Sequence, residues 1–155
     1  MSTMAHDDSK LMYPGLAGFY ATWRNIADTA VRVIVGYILF MHGWVKLTVM
    51  GAAGVGGFMA AHGLHPGSAF AWVAIFLETI GALCIIFGLF TRFFAAAIAI
   101  EMLIAVIAVH WSHGFFYNAH NGGYEYALLI GIVMFAIAIR GGGPYSIDRA
   151  IGKEL

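Results

Sequence analysis

Ionisable side chains lie inside stretches of this sequence that are otherwise apolar. An ionised group in hydrocarbon is costly unless it pairs or faces a protein interior, so such residues indicate a functional site. An imidazole and a desolvated carboxyl can exchange protons near neutral pH and can hydrogen-bond the oxygens of a quinone. The candidate pocket residues are His42, Lys46, Glu78, Glu101 and Glu125.

The composition predicts an integral membrane protein. Of 155 residues, 61% are hydrophobic and 10% are charged, whereas a soluble domain carries roughly 25% charged residues. The net charge is zero and no basic run occurs, which argues against a nucleic-acid partner. The single cysteine, Cys84, excludes an intramolecular disulfide and a CxxC redox site.

Four apolar segments are long enough to cross a bilayer as helices, since roughly 20 helical residues span about 30 Å of hydrocarbon. Backbone groups in lipid must be hydrogen-bonded within the protein, and the segments are too long for barrel strands. The sequence therefore predicts an all-α, integral membrane four-helix bundle at 29–140. A cytoplasmic N-terminal lead at 1–28 precedes it and a cytoplasmic tail at 141–155 follows. The predicted spans are 29–48, 70–90, 93–111 and 124–139.

Basic residues predict the orientation of the spans. Lys and Arg occur before the first span, at the second connection and after the fourth span, whereas 49–69 and 112–123 contain none. The positive-inside rule then places both termini in the cytoplasm and these two loops outside. In the first outer loop, 52–64 is predicted to form a short amphipathic or re-entrant helix that ends before Pro66. The alternative is a flexible, glycine-rich loop at 51–57.

The candidate pocket residues share faces with small residues. Leu39, His42 and Lys46 follow one helical stripe, and alanine or glycine residues flank Glu78 and Glu101 at helical spacing. Small residues allow membrane helices to approach closely, so both glutamates should face the bundle interior. We expect them to converge with His42 on one outward-opening cavity. A purely structural alternative is that Lys46 pairs with Glu78 or Glu125 to fix helix register.

Histidines of the outer half offer a second type of site. Two imidazoles spaced by three residues can lie on one helical face and bind a metal. The HxxH spacing is common, however, and no pattern supplies a third ligand, so interfacial or pocket-lining histidines are the favoured interpretation. Haem ligation is weaker still as an alternative. The residues concerned are His62, His65, His110, His113 and His120.

Five short motifs, in this order, resemble the DoxX family of small bacterial membrane proteins. They cover nearly the whole region from Asp28 to Arg149, and the combination is more specific than any one of them. The His-rich stretch at 110–120 and the N-terminal lead do not match the family pattern. The motifs are 42–47 (HGWVKL), 58–64 (FMAAHGL), 78–82 (ETIGA), 88–92 (GLFTR) and 142–149 (GGPYSIDR).

The resemblance implies a four-span protein of the bacterial cytoplasmic membrane, similar to the membrane subunit of thiosulfate:quinone oxidoreductases. Our first hypothesis is a quinone-interacting subunit of a redox complex, with no covalently bound cofactor and with electrons delivered by another subunit. The alternative is a non-catalytic accessory subunit that assists assembly of a larger membrane complex. Its contacts would include aromatic residues that could otherwise form an interfacial belt: Trp111, Phe115, Phe116 and Tyr117.

Overall fold

Every regular element is helical in the part of the chain that the structure describes. This structure is a computed structural model, and it describes residues 11–117 and 122–154. The all-α prediction is confirmed. The helices are α1 (Ala17–Val45), α2 (Gly51–Ala61), α3 (Gly67–Phe76), α4 (Ala82–Phe87), α5 (Thr91–Ile104), α6 (Glu125–Arg140) and α7 (Ile147–Ile151).

Three helical stretches are long and apolar enough to cross a membrane. They are Pro14–Ala61, which contains α1 and α2, Gly67–Phe87, which contains α3 and α4, and Thr91–His113, which contains α5. Helix α6 corresponds to the fourth predicted span. It has 16 residues, which at about 1.5 Å per residue reach roughly 24 Å. It is therefore shorter than the roughly 30 Å hydrocarbon core. The three long stretches make this a multi-pass membrane protein. The length of α6 alone does not show that this helix crosses the membrane.

The first long helix packs antiparallel to α3 and α4 through two glycines. A Cβ atom on Gly36 would lie 2.8 Å from the Ile86 side chain, and one on Gly43 would lie 2.5 Å from the Glu78 carbonyl oxygen. Small residues permit this close approach between membrane helices. On the other side, α5 packs along α6. A single large core joins these helices and includes the fully buried Ile85, Ile98 and Met134.

The segment after α1 is helical, so the flexible-loop alternative for the first outer loop is wrong. Gly51 has φ of +70° and redirects the chain between α1 and α2. Helix α2 then lies against α3, where a Cβ atom on Gly67 would be 2.2 Å from the Gly56 carbonyl oxygen. Val55, Ala71 and Ile75 form a small core between the two helices. The helix therefore packs side by side with α3.

The connection between the second and third predicted spans lies three residues earlier than expected. We expected Thr91 and Arg92 to form it, but α4 ends at Phe87 and Thr91 already begins α5. Gly88 has φ of +71°, the left-handed conformation that commonly ends a helix. A Cβ atom there would lie 2.5 Å from that of Ser146, so the turn also needs the space that glycine leaves.

Two arginines cap the ends of helices at this turn. Arg32 is buried and donates to the carbonyl oxygens of Ile85 and Ile86 at 2.5 and 2.6 Å, near the end of α4. Arg92 donates to the carbonyl oxygen of Ile139 at 2.5 Å, near the end of α6, and to Glu154 at 2.9 Å. The last carbonyl groups of a helix lack partners within it, and a cation also complements the helix dipole there.

Asp148 caps the start of α5. Its carboxylate accepts from the backbone nitrogen atoms of Phe90 and Thr91 at 2.7 and 2.8 Å, and from the Thr91 hydroxyl at 2.6 Å. Asp148 and Thr91 are almost fully buried. The GLFTR and GGPYSIDR motifs are thus two halves of one structural joint, which ties the C-terminal segment to the turn between α4 and α5.

Two further contacts bring α1 and the residues at and after the end of α6 to this same end of the bundle. Arg140 pairs with Asp28, and Arg32 donates to the Tyr145 carbonyl oxygen at 2.8 Å. The basic residues on α1, at the α4–α5 turn and after α6 therefore meet at one end of the bundle. We call this the basic end. The predicted lead at 1–28 is helical from Ala17 onward, as part of α1.

We predict that Asp148→Asn weakens the joint strongly. The substitution removes the negative charge that accepts three hydrogen bonds, and the free energy of unfolding should fall by about 2–4 kcal/mol. Asp28→Asn makes the same chemical change in an exposed ion pair and should cost less than about 1 kcal/mol. Denaturant unfolding in detergent micelles measures both losses. Equal losses would contradict the buried joint as described.

Candidate functional site

Each of the three long stretches contains a π-helical segment. The π-helical segments are Lys46–Met50, Leu77–Gly81 and Ala105–His110. An inserted residue of this kind re-aims the side chains around it and is frequent at functional sites. Lys46, Glu78 and His110 all lie in these segments. Two of the five predicted pocket residues, Lys46 and Glu78, therefore lie in π-helical segments, whereas His42, Glu101 and Glu125 lie in α-helices.

Lys46 and Glu78 form an ion pair inside the bundle. The Lys46 Nζ atom lies 2.5 Å from Glu78 Oε1, and the side chains are 24% and 4% exposed. An ion pair of Lys46 with a glutamate is what the structural alternative in the sequence analysis predicted. Of the two partners that the sequence allowed for Lys46, the structure selects Glu78. Gly43 makes the approach possible, since its missing side chain leaves room for the Glu78 backbone.

A cavity of about 340 Å³ opens on one side of this pair. Its walls come from α1, α2, α6 and the outer end of the third long stretch, and much of the lining is apolar. The polar and ionisable side chains on its wall are His42, Lys46, Glu78, His110, Tyr117 and Tyr126. We call it the larger cavity.

The two histidines of the larger cavity are oriented by the backbone. His42 Nδ1 lies 2.8 Å from the Ile38 carbonyl oxygen, and His110 Nδ1 lies 2.6 Å from that of Gly122. A carbonyl oxygen only accepts, so each Nδ1 carries the hydrogen, and Nε2 of the neutral ring is an acceptor. The ring of Tyr126 lies 5.8 Å from that of His42, centroid to centroid. The cavity thus offers both hydrogen-bond donors and acceptors.

A second cavity of about 160 Å³ lies on the other side of the ion pair, between α3 and α5. Lys46, Glu78 and Glu101 line it, and its remaining lining is apolar. We call it the smaller cavity. The prediction of one cavity shared by His42, Glu78 and Glu101 is therefore wrong in this respect. Lys46 and Glu78 line both cavities and therefore lie at their shared boundary.

Glu125 lines neither cavity. Its carboxylate accepts from the Tyr117 backbone nitrogen at 2.8 Å, and its own backbone nitrogen donates to the Phe115 carbonyl oxygen at 2.9 Å. Glu125 is the first residue of α6, where a negative charge is favoured by the helix dipole. These contacts fix the loop before α6 to the start of that helix, and the expected place of Glu125 in the pocket is not observed.

The histidines proposed as metal ligands do not form a cluster in the part of the chain that the structure describes. Within residues 11–117 and 122–154, no three or more His, Cys, Asp or Glu side chains are close enough to hold a metal ion. His62 Nδ1 binds the Phe58 carbonyl oxygen at 2.8 Å, and His113 Nδ1 binds that of Val109 at 3.1 Å. His120 lies outside the described residues. The metal site stays a prediction without a ligand cluster to support it.

The four aromatic residues predicted to contact other membrane subunits differ in their surroundings. Trp111 stacks on Tyr124 at 5.3 Å between ring centroids, and Phe115 meets the same ring edge-on at 5.5 Å. Tyr117 lines the larger cavity, whereas Phe116 is 73% exposed. Part of this set thus packs on its own chain.

Tyr126 lines the larger cavity but was not among the residues predicted from the sequence. It lies in the first turn of α6, after Glu125, and a tyrosine near the outer end of a predicted span is also what an interfacial belt requires. No charge pattern marks it. The helical spacing of Ala127 and Ile130, which also line the cavity, is the signal that could have indicated the inward face of α6.

Sequence comparisons identify the family and several relatives of this chain. A family model described as DoxX matches residues 27–111, more than half of the chain. The chain belongs to the DoxX family. This match covers the Gly43 contact, the ion pair, Glu101 and the α4–α5 turn.

Similar proteins occur in several bacteria. The chain is 33% identical over 130 residues to an Escherichia coli protein named "Inner membrane protein YqjF", covering 84% of this chain and 95% of that protein. It is 33% identical over 113 residues to the Bacillus subtilis "Putative oxidoreductase CatD", covering 73% and 79%. An uncharacterized protein of Haemophilus influenzae is 29% identical over 126 residues, covering 80% and 90%. No solved structure matches the chain significantly.

We predict that Gly43→Ala disrupts the site. The new methyl group would lie 2.5 Å from the Glu78 backbone, so α1 must shift, at a cost of about 1–3 kcal/mol. Gly57→Ala is the matched control, because nothing lies within 4 Å of the added atom. It should stabilise α2 by about 0.5–1 kcal/mol. Melting temperatures in detergent test this contrast, and a Gly43→Ala variant at least as stable as the wild type would refute the close contact.

Proposed function

We propose that this protein is the membrane subunit of a redox complex in a bacterial inner membrane, and that it binds a quinone or quinol in the larger cavity. The observation that carries the proposal is the combination of an imidazole, an ammonium group and a carboxylate on the wall of one apolar cavity of about 340 Å³. This volume lies within the range of about 300–1,000 Å³ that is typical of small-molecule sites. A membrane-soluble ligand can reach such a site from the bilayer.

The chemistry of the lining suits a quinone. Its two carbonyl oxygens need hydrogen-bond donors, which Lys46 and the tyrosine hydroxyls can supply. A quinol needs acceptors, which the Nε2 atoms of His42 and His110 can supply. Reduction of a quinone to a quinol takes two electrons and two protons. The sequence contains no cysteine pair and no recognisable flavin or nucleotide motif, so in this proposal a separate redox protein delivers the electrons.

The names of two relatives support a redox role and a place in the inner membrane. One relative carries the name "Putative oxidoreductase CatD" and another the name "Inner membrane protein YqjF". We further propose that α6 is a fourth, short span that closes the bundle. The basic end then faces the cytoplasm with both termini, in accordance with the positive-inside rule, and the larger cavity lies toward the outer side.

A non-catalytic accessory role is the second candidate. The observation that favours it is the exposure of aromatic side chains on the outer loop, where Phe116 is 73% and Tyr117 is 59% exposed. Aromatic residues are enriched in protein interfaces. In that case other membrane subunits would cover the loop, and the larger cavity would have no ligand.

Ligand retention separates the two candidates. We expect the protein, purified in mild detergent, to retain quinone that mass spectrometry detects, and to bind a short-chain quinone added after delipidation. Glu78→Gln should lower this affinity about 10- to 100-fold, because it disturbs a charged hydrogen-bonding group. Tyr126→Phe removes only a hydroxyl group from the wall and should lower the affinity less.

The matched control is Glu154→Gln. It makes the same chemical change in the ion pair with Arg92, at the basic end and away from the larger cavity, and should leave quinone binding unchanged. Wild-type protein that neither retains nor binds quinone would remove the proposal. So would an equal loss of affinity in Glu78→Gln and Glu154→Gln.

A further inference from the structure

Two buried carboxylate oxygens of the site have no hydrogen-bond partner. They are Oε2 of Glu78 and Oε2 of Glu101. Glu78 is 3% exposed, and both residues line the smaller cavity. A buried polar atom without a partner is costly, so almost all such atoms in folded proteins bind a group or an ordered water. The two oxygens therefore point to a hydrogen-donating ligand between them.

The charges around the smaller cavity do not balance if both glutamates are ionised. Lys46 is the one cation on its wall, and it is already paired with Glu78. Helix α2 contributes Met59, α3 contributes residues such as Phe70 and Val73, and α5 adds only apolar side chains besides Glu101. Within the described residues, nothing else on this wall can take up or release a proton. An ionised Glu101 would thus leave an unpaired charge in an apolar bundle.

We propose that the smaller cavity is a proton-holding site, in which Glu101 carries the proton as a neutral carboxylic acid and water links its O–H group to Glu78. A volume of about 160 Å³ has room for several waters, since each needs roughly 10–15 Å³ of this space. The polar partners that such waters require are the two carboxyl groups and the Lys46 ammonium group.

The position of the ion pair defines the path that a proton would take from this site to the larger cavity. Glu101 lines only the smaller cavity and His42 lines only the larger one, whereas Lys46 and Glu78 line both. A proton that leaves Glu101 for a ligand beside His42 therefore passes over Glu78. In that step the O–H bond of Glu101 breaks and one forms on Glu78, while Lys46 keeps its charge and the net charge of the cluster is unchanged. The identity of the acceptor as a quinone rests on the proposed function, but the proton on Glu101 does not.

Infrared spectroscopy of the delipidated, quinone-free protein in bilayers of synthetic phosphatidylcholine tests this site. A protonated carboxyl group has a C=O stretching band, separate from that of a carboxylate, that shifts in D₂O. We expect this band in the wild type at neutral pH and its loss in Glu101→Gln. Glu154→Gln, the control, should keep it. A wild type without the band, or a Glu101→Gln variant that retains it, would overturn the inference.

A second variant tests the role of the ion pair. Lys46→Met removes the cation that pairs with Glu78, so the Glu78 side chain should also take up a proton and the intensity of the band should roughly double. An unchanged band in folded Lys46→Met protein would show that Lys46 does not decide which carboxyl group carries the proton, and would contradict the inference. Because no quinone is present in these measurements, their outcome is independent of whether the protein binds quinone.

Discussion

The ion pair between Lys46 and Glu78 is the constraint on which the region around the two cavities depends. Each partner alone would be a charge buried among apolar helices, and removal of one partner from such a pair typically costs about 3–5 kcal/mol. The pair forces α1 against the π-helical segment that carries Glu78, and Gly43 supplies the space for this contact. The pair also lies at the boundary of the two cavities, one of which is lined by His42 and the other by Glu101.

The basic end provides the rigid frame for this site. Arg32 and Arg92 bind the last carbonyl groups of α4 and α6, and Asp148 binds the first backbone nitrogen atoms of α5. These contacts fix the ends of the helices where they enter the bundle. Glu101 lies on α5, so its position opposite Glu78 depends in part on the Asp148 joint. The basic end thus holds the helix ends in place, and the two carboxyl groups without a full set of partners lie deeper in the bundle.

Much of this arrangement follows from the sequence, because buried charges and small residues leave strong signals. The expected pairing of Lys46 and the inward position of Glu78 follow from the cost of charge in lipid. The π-helical segments could not be predicted, since one inserted residue hardly alters the apolar pattern of a membrane helix. For the same reason the division into two cavities was missed. Glu125 was assigned to the pocket from its charge alone, but backbone groups of the outer loop are its partners.

The central claim is that Lys46 and Glu78 stabilise the site as a pair, and a double-mutant cycle tests it most directly. The variants are Lys46→Met, Glu78→Leu and the two combined, and the measurement is the free energy of unfolding in detergent micelles. Our account predicts a loss of about 3–5 kcal/mol for each single variant, and a double variant within about 1 kcal/mol of the wild type, since an apolar pair can replace a buried ion pair. Losses that simply add in the double variant would contradict the account.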